Sequence, residues 1–119
     1  MLQELLNAIK SLNKTNHSLW LDCLITIATD DDLSAAVDLG TPYDSLIVII
    51  PALTSANLTL YASEDFAKTY YSVGSSIVVA AGTGSFIDVW ELGGLQYIKI
   101  GTSVAQAADR RFRVRGIRY

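Results

Sequence analysis

The chain has 119 residues, half of them hydrophobic, and carries 9 Lys and Arg against 12 Asp and Glu, which gives a formal net charge of −3. This length supports one domain with one hydrophobic core and is too short for two. The acidic balance argues against a nucleic-acid-binding domain, and no apolar run approaches the roughly 20 residues of a membrane-spanning helix, so we predict no nucleic-acid and no membrane partner.

The first segment has the period of an amphipathic helix. Its apolar residues recur at spacings of three and four, which places them on one stripe. They are Leu2, Leu5, Leu6, Ile9 and Leu12. Polar residues then end the pattern. We therefore predict an N-terminal helical arm over residues 1–16 and a β-sandwich domain over residues 17–119.

From Leu19 the period changes to two, which is typical of a half-buried strand. One side of this strand carries Leu19, Leu21, Cys23, Ile25 and Ile27. The opposite side keeps Trp20 and Leu24, which is more apolar than a solvent face requires. We expect another element or another subunit to cover it. The single cysteine is predicted to be a packing residue.

Further strands follow at intervals near ten residues. "SLIVIIPAL" predicts a central strand, and the later strands are separated by Gly82, Gly84, Gly93 and Gly94. With no helical pattern between them, the fold class is all-β, an antiparallel jelly-roll-like β-sandwich with a short N-terminal helix or arm. The predicted buried residues include Leu21, Ile25, Ile27, Val48, Ile50, Leu60, Ile98 and Val114.

The chain ends in "RRFRVRGIRY", which places five arginines in the last ten residues. Phe112 and Val114 alternate with three of these arginines, whereas Ile117 has the opposite parity. A bulge at Gly116 would return Ile117 to the apolar face and leave Arg111, Arg113 and Arg115 together on the other. These arginines either pair with acids of the first half of the chain or form a charged surface that docks a protein partner.

Elimination argues against catalysis. The one histidine, His17, lies in a polar linker, so no nucleophile and base are paired by the sequence. The run Asp30–Asp32 lacks the spaced acids of a calcium loop and indicates a solvated turn. "GTGS" at Gly82–Ser85 lacks the lysine of a phosphate loop. We expect no enzymatic activity, no cofactor and no metal site.

The segments "PALTSANLTLYAS" and "YIKIGTSVAQAADRRF" resemble small proteins of tailed bacteriophages and prophages, and the resemblance extends over about residues 34–115. It implies a virion structural role for a β-sandwich. The ending "RVRGIRY" departs from the mainly apolar last strand of that group, and the N-terminal helix lies outside the match. These two segments are therefore candidates for contacts that are specific to this chain.

Three functions follow from these observations. The first is a capsid decoration, or cement, protein that binds the major capsid protein or another virion protein on the head surface as a homotrimer, after assembly in the host cytoplasm. The second is a neck, tail or baseplate component. The third is a carbohydrate-binding module that uses Trp20, Tyr70, Tyr71 and Trp90. The predicted partner-binding residues are Leu2, Leu5, Leu6, Ile9, Trp20, Arg111, Arg113 and Arg115.

Overall fold

The computed structural model describes residues 2–4, 17–73 and 78–118, without the side chains of Val78 and Val79. Strand makes up 68% of the described residues and helix 3%. The strands are β1 (Leu21–Ile25), β2 (Val37–Ser63), β3 (Tyr71–Ser72), β4 (Val78–Thr102) and β5 (Arg110–Ile117). Their pairings in the described residues are antiparallel. The all-β prediction is confirmed, and the jelly-roll connection order stays a prediction.

Little of the predicted arm falls within the described residues. Residues 2–4 form a helical turn with exposed side chains, and residues 5–16 lie outside the description. Within the described ranges, the structure contains no helix with the length and apolar content to cross a membrane.

Strands β2 and β4 are far longer than the short strands predicted, at 27 and 25 residues. The glycines of β4 change its direction without ending it. Gly93 and Gly94 have positive φ angles of 69° and 84°, a region in which glycine is not strained. Across them the pairing with β2 shifts from Tyr43 opposite Leu95 to Ser45 opposite Glu91. The separate strands predicted there are one bent strand.

The middle of β2 lies between two other strands. Ile47 pairs with Arg115 of β5 on one side and with Val89 of β4 on the other. β1 pairs with the remaining edge of β5, so the order in this layer is β1–β5–β2–β4. The predicted central position of "SLIVIIPAL" is thereby confirmed.

The end of β4 lies between the two ends of β2. Ile98 pairs with Val37 near the start of β2 and with Ala62 near its end. β3 pairs with the other side of the second β2 segment, Ala62 opposite Tyr71. Buried side chains of both layers form one hydrophobic cluster, as expected for two facing sheets of a sandwich.

Burial follows the predicted pattern at most of the named positions. The fully or nearly fully buried side chains are Ile25, Val48, Ile50, Leu60, Ile98 and Val114. Leu21 is half-buried. The prediction for Ile27 is wrong, since its side chain is 44% exposed. Strand β1 ends at Ile25 and a turn follows, so strand alternation no longer determines which way the Ile27 side chain points.

The predicted bulge at Gly116 is also wrong. β5 stays in register with β2 from Arg113 opposite Ile49 to Ile117 opposite Ser45. Ile117 therefore shares the side of the arginines. A Cβ at Gly116 would lie 2.4 Å from Cδ2 of Tyr43, so the glycine gives room to an aromatic ring that packs on the strand.

A buried glutamine fixes the loop before β5. The Gln106 side chain accepts a hydrogen bond from the Thr54 amide at 2.9 Å and donates one to the Thr54 carbonyl at 3.1 Å. The two hydrogen bonds resemble those between neighbouring strands. They satisfy the backbone amide and carbonyl of Thr54, which lies where the register between β2 and β4 shifts. Arg110 Nε also donates to Gln106, at 3.1 Å.

Replacing Ile25 with Ala should lower the free energy of unfolding by about 2–5 kcal/mol, because a fully buried side chain leaves a cavity. Ile27→Ala is the matched control and should cost less than about 1 kcal/mol, since that side chain is largely solvated. Urea unfolding measures both. A loss of only a few tenths of a kcal/mol for Ile25→Ala would show that the site is not part of the core.

Candidate docking surface

The outer side of the first layer carries the three predicted arginines. Residues directly opposite each other in antiparallel strands point to the same side of a sheet. The register therefore joins side chains of four strands into one surface. We call it the arginine face; it comprises Asp22, Leu24, Ile47, Ile49, Ile87, Val89, Arg111, Arg113 and Arg115.

The polar part of the arginine face depends on one carboxylate. Arg111 Nε donates to Asp22 Oδ1 at 2.9 Å, and Arg113 Nε lies 3.6 Å from the same oxygen. The predicted pairing with acids of the first half is thus present at Asp22. One carboxylate lies near two guanidinium groups, so the positive charge of Arg111, Arg113 and Arg115 is only partly balanced.

Two arginine nitrogens on this face are buried without an acceptor. Within the described residues, Nε of Arg113 and Nε of Arg115 have no hydrogen-bond partner. The guanidinium of Arg115 lies instead over the ring of Trp20, 4.7 Å from its centroid. Arg113 Nε has the Asp22 carboxylate as its ionic neighbour at 3.6 Å, so each of the two guanidinium groups has a favourable contact within the chain.

The apolar part of the arginine face is open to solvent. Ile87 is 64% exposed and Val89 is 57% exposed, and both lie opposite half-buried isoleucines of β2. Leu24 at the other edge is 42% exposed. Contiguous exposed aliphatic side chains next to charged ones are typical of protein contact surfaces. Alternation in the sequence identifies the arginines and Trp20 but not Ile87 and Val89, because only the pairing of β4 with β2 brings these two residues to this side.

The predicted N-terminal contact residues are only partly described. Leu2 is 73% exposed. Leu5, Leu6 and Ile9 lie outside the described residues.

Two other candidate sites have structural explanations. The Cys23 thiol is buried and donates to Ser34 Oγ at 3.1 Å, and burial raises its pKa to about 11, so it is a neutral packing group at neutral pH.

The carboxylates of Asp30–Asp32 come within 4.8 Å of one another, but all three residues are exposed. The Asp32 amide donates to Asp30 Oδ1 at 3.3 Å. A hydrogen bond between the two side chains and the charge of Asp30 raise the pKa of Asp32. The run is a solvated turn.

The four aromatic residues of the carbohydrate hypothesis do not share a surface. Trp90 is buried in the core at 4% exposure, and Trp20 is half-buried beneath Arg115. Tyr71 is 71% exposed on β3. Tyr70 lines a separate cleft with Tyr61, a residue that the sequence analysis did not select.

Comparisons with known proteins show the fold. No protein-family model matches the chain, and no curated protein sequence matches it significantly. Among solved structures, the SPBc2 prophage-derived protein YomS has a TM-score of 0.50 and 12% identity, over 84% of this chain and 96% of YomS. A chitosan-binding module from a chitosanase/glucanase of Paenibacillus sp. IK-5 has a TM-score of 0.50 and 15% identity, over 82% of this chain and 95% of the module. CpGH89 from Clostridium perfringens, with a TM-score of 0.50 and 15% identity, is matched over 85% of this chain but only 12% of its own length.

A double-mutant cycle should show that Asp22 and Arg111 contribute little to folding. We expect a coupling free energy of about 0.2–1 kcal/mol between Asp22→Asn and Arg111→Gln, because the side chains are 40% and 60% exposed. Asp22→Asn with Arg115→Gln is the control and should show no coupling. Urea unfolding of the single and double variants gives both values. A coupling above about 2 kcal/mol would assign this arginine to the stability of the fold.

Proposed function

We propose that this chain is a structural protein of a phage particle, without enzymatic activity, and that it decorates the outer surface of the head by docking through the arginine face. The observation that carries the proposal is the row of Arg111, Arg113 and Arg115, whose charge is only partly balanced by Asp22, beside the exposed side chains of Ile87 and Val89. The surface is built for contact and offers no group for chemistry.

The partner surface must supply carboxylates next to aliphatic groups. Asp22 balances only part of the charge of the three arginines, and the planar guanidinium group binds a carboxylate through two parallel hydrogen bonds. Ile87 and Val89 gain from contact with apolar side chains, at roughly 25 cal/mol for each Å² of apolar surface removed from water. We assign this complementary surface to the major capsid protein, so the chain would reside on the virion head after assembly in the host cytoplasm.

The fold supports this reading. YomS, a prophage-derived protein, has the same fold over nearly its whole length. The sequence motif that resembles small phage proteins includes Arg111 and ends at Phe112. The departing ending begins at Arg113, so Arg113 and Arg115 are candidates for contacts that are specific to this chain, with Ile117 on the same side of β5.

Replacing Arg111, Arg113 and Arg115 together with Gln should weaken binding to phage heads at least tenfold and reduce its dependence on salt, because charged contacts at an interface are screened by ions. Lys68→Gln is the control: it removes a 64% exposed cation from a loop outside the face and should bind as the parent does. Sedimentation with purified heads over a range of salt concentrations measures both. Unchanged binding of the triple variant, or binding to isolated tails alone, would contradict the proposal.

We further propose that the protein is a homotrimer in which Met1–Lys14 reaches a neighbouring subunit or the capsid. An amphipathic helix of this length is marginal alone in water and needs a surface for its apolar stripe. A trimer also multiplies weak contacts to a shell that presents three equivalent sites. Light scattering of the full chain at micromolar concentration should give the mass of a trimer, and a shortened chain that begins at Asn16 should dissociate. A monomeric full chain would overturn the trimer, and a trimer that survives the truncation would overturn the role of the arm.

A further inference from the structure

We propose that the cleft between the Glu64–Tyr70 loop and the outer side of the second layer is a binding site for a neutral pyranose oligosaccharide. The cleft has a volume of about 520 Å³, within the range of roughly 300–1,000 Å³ that is typical of ligand sites. This site is separate from the arginine face and does not depend on the proposed docking function.

The floor of the cleft is set by strand pairing. Tyr61 lies opposite Lys99, and Thr59 lies opposite Gly101, so all four point away from the core on one side of the layer. A Cβ at Gly101 would come within 2.7 Å of Cε2 of Tyr61. The glycine therefore lets the tyrosine ring lie close to the backbone, which forms a flat apolar platform.

The walls supply the polar groups that a sugar requires. Lys99 pairs with no acid among the described residues, and its ammonium lies over the ring of Tyr70, 4.8 Å from the centroid. Asp32, which is exposed, and Thr59, which is half-buried, also line the cleft. Pyranose hydroxyl groups both donate and accept hydrogen bonds, and the C–H side of the ring packs on aromatic faces.

The charges around the cleft favour a neutral ligand. Lys99 and Asp32 both line the cleft and have opposite charges. Lys68 also lines it, but this lysine lies 3.7 Å from Glu64, so the lining as a whole carries little net charge. Partial burial and, to a smaller extent, the nearby Asp65 carboxylate raise the pKa of the Tyr70 phenol, so it stays a neutral hydroxyl group. A charged sugar would therefore find no net opposite charge in the cleft.

A larger neighbouring cavity of about 610 Å³ lacks this combination. Lys68 lines both cavities, but the larger one also contains its ion-pair partner Glu64, 3.7 Å away, and the apolar residues Val73 and Leu95. The two tyrosines and the lysine without an acidic partner therefore single out the smaller cleft.

Titration of the full chain with oligosaccharides, followed by amide chemical shifts, tests the site. The probes are neutral tetrasaccharides of glucose, N-acetylglucosamine, galactose and mannose, with a cationic glucosamine tetramer and an anionic galacturonate tetramer for comparison. At about 10 mM sugar, which detects millimolar dissociation constants, at least one neutral probe should shift the amides of Lys99, Gly101 and Thr102. No shift with any neutral probe, or tighter binding of either charged probe, would overturn the proposal.

Substitutions in the cleft test which residues contribute to sugar binding. Tyr70→Ala and Lys99→Met should each weaken the binding of that neutral probe about tenfold, since they remove a ring face and a donor. Tyr71→Ala is the matched control, because this neighbouring tyrosine is 71% exposed and does not line the cleft. The amide spectrum of each free variant verifies that it folds. Equal losses in all three variants, or shifts centred on the arginine face, would exclude the cleft as the site.

Discussion

The architecture depends on the pairing of one end of β4 with both ends of β2. Ile98 has Val37 on one side and Ala62 on the other, and Tyr97 likewise lies between Asp38 and Ser63, so a single strand flanks these two residues on both sides. To reach both sides, β2 must leave the layer, turn and come back, and its middle pairs with β4 in the other layer. The core fills the space between these two parts. The outer sides of both layers are therefore fixed by the same pairing.

The arginine face results from this arrangement and from the residues of β5 that point into the core. Phe112 and Val114 are fully buried, and the lack of a side chain at Gly116 makes room for Tyr43. In a strand with period two, those inward positions force Arg111, Arg113 and Arg115 outward on the same side. The middle of β2 then brings Ile47 and Ile49 beside them, since β5 and β4 pair with its two edges.

Local pattern in the sequence was sufficient for part of this structure. Alternation identified β1, the burial of Cys23 and Ile25 and the common side of the three arginines, because these depend only on neighbouring residues. It could not identify Ile87 and Val89 as members of the same surface, since their position depends on pairing with a strand about 40 residues away in the chain. Gly116 was misread for a related reason: its role is set by the ring of Tyr43, more than 70 residues earlier. Turn glycines also gave no sign that β4 continues through them.

The two proposed surfaces lie on different layers and adjoin at one edge. The arginine face is the outer side of the layer that contains β1 and β5, whereas Tyr61 and Lys99 are on the outer side of the layer formed by the ends of β2 and β4. The segment before β2 joins these layers, because the Ala35 amide donates to the Leu24 carbonyl and the Ser34 amide donates to the Ile100 carbonyl. Leu24 of the arginine face and Lys99 of the cleft therefore line the same small cavity of about 210 Å³. A partner that docks on the arginines and extends past Leu24 would come close to Lys99, so the reach of the docked partner along this edge decides whether both surfaces are occupied at once.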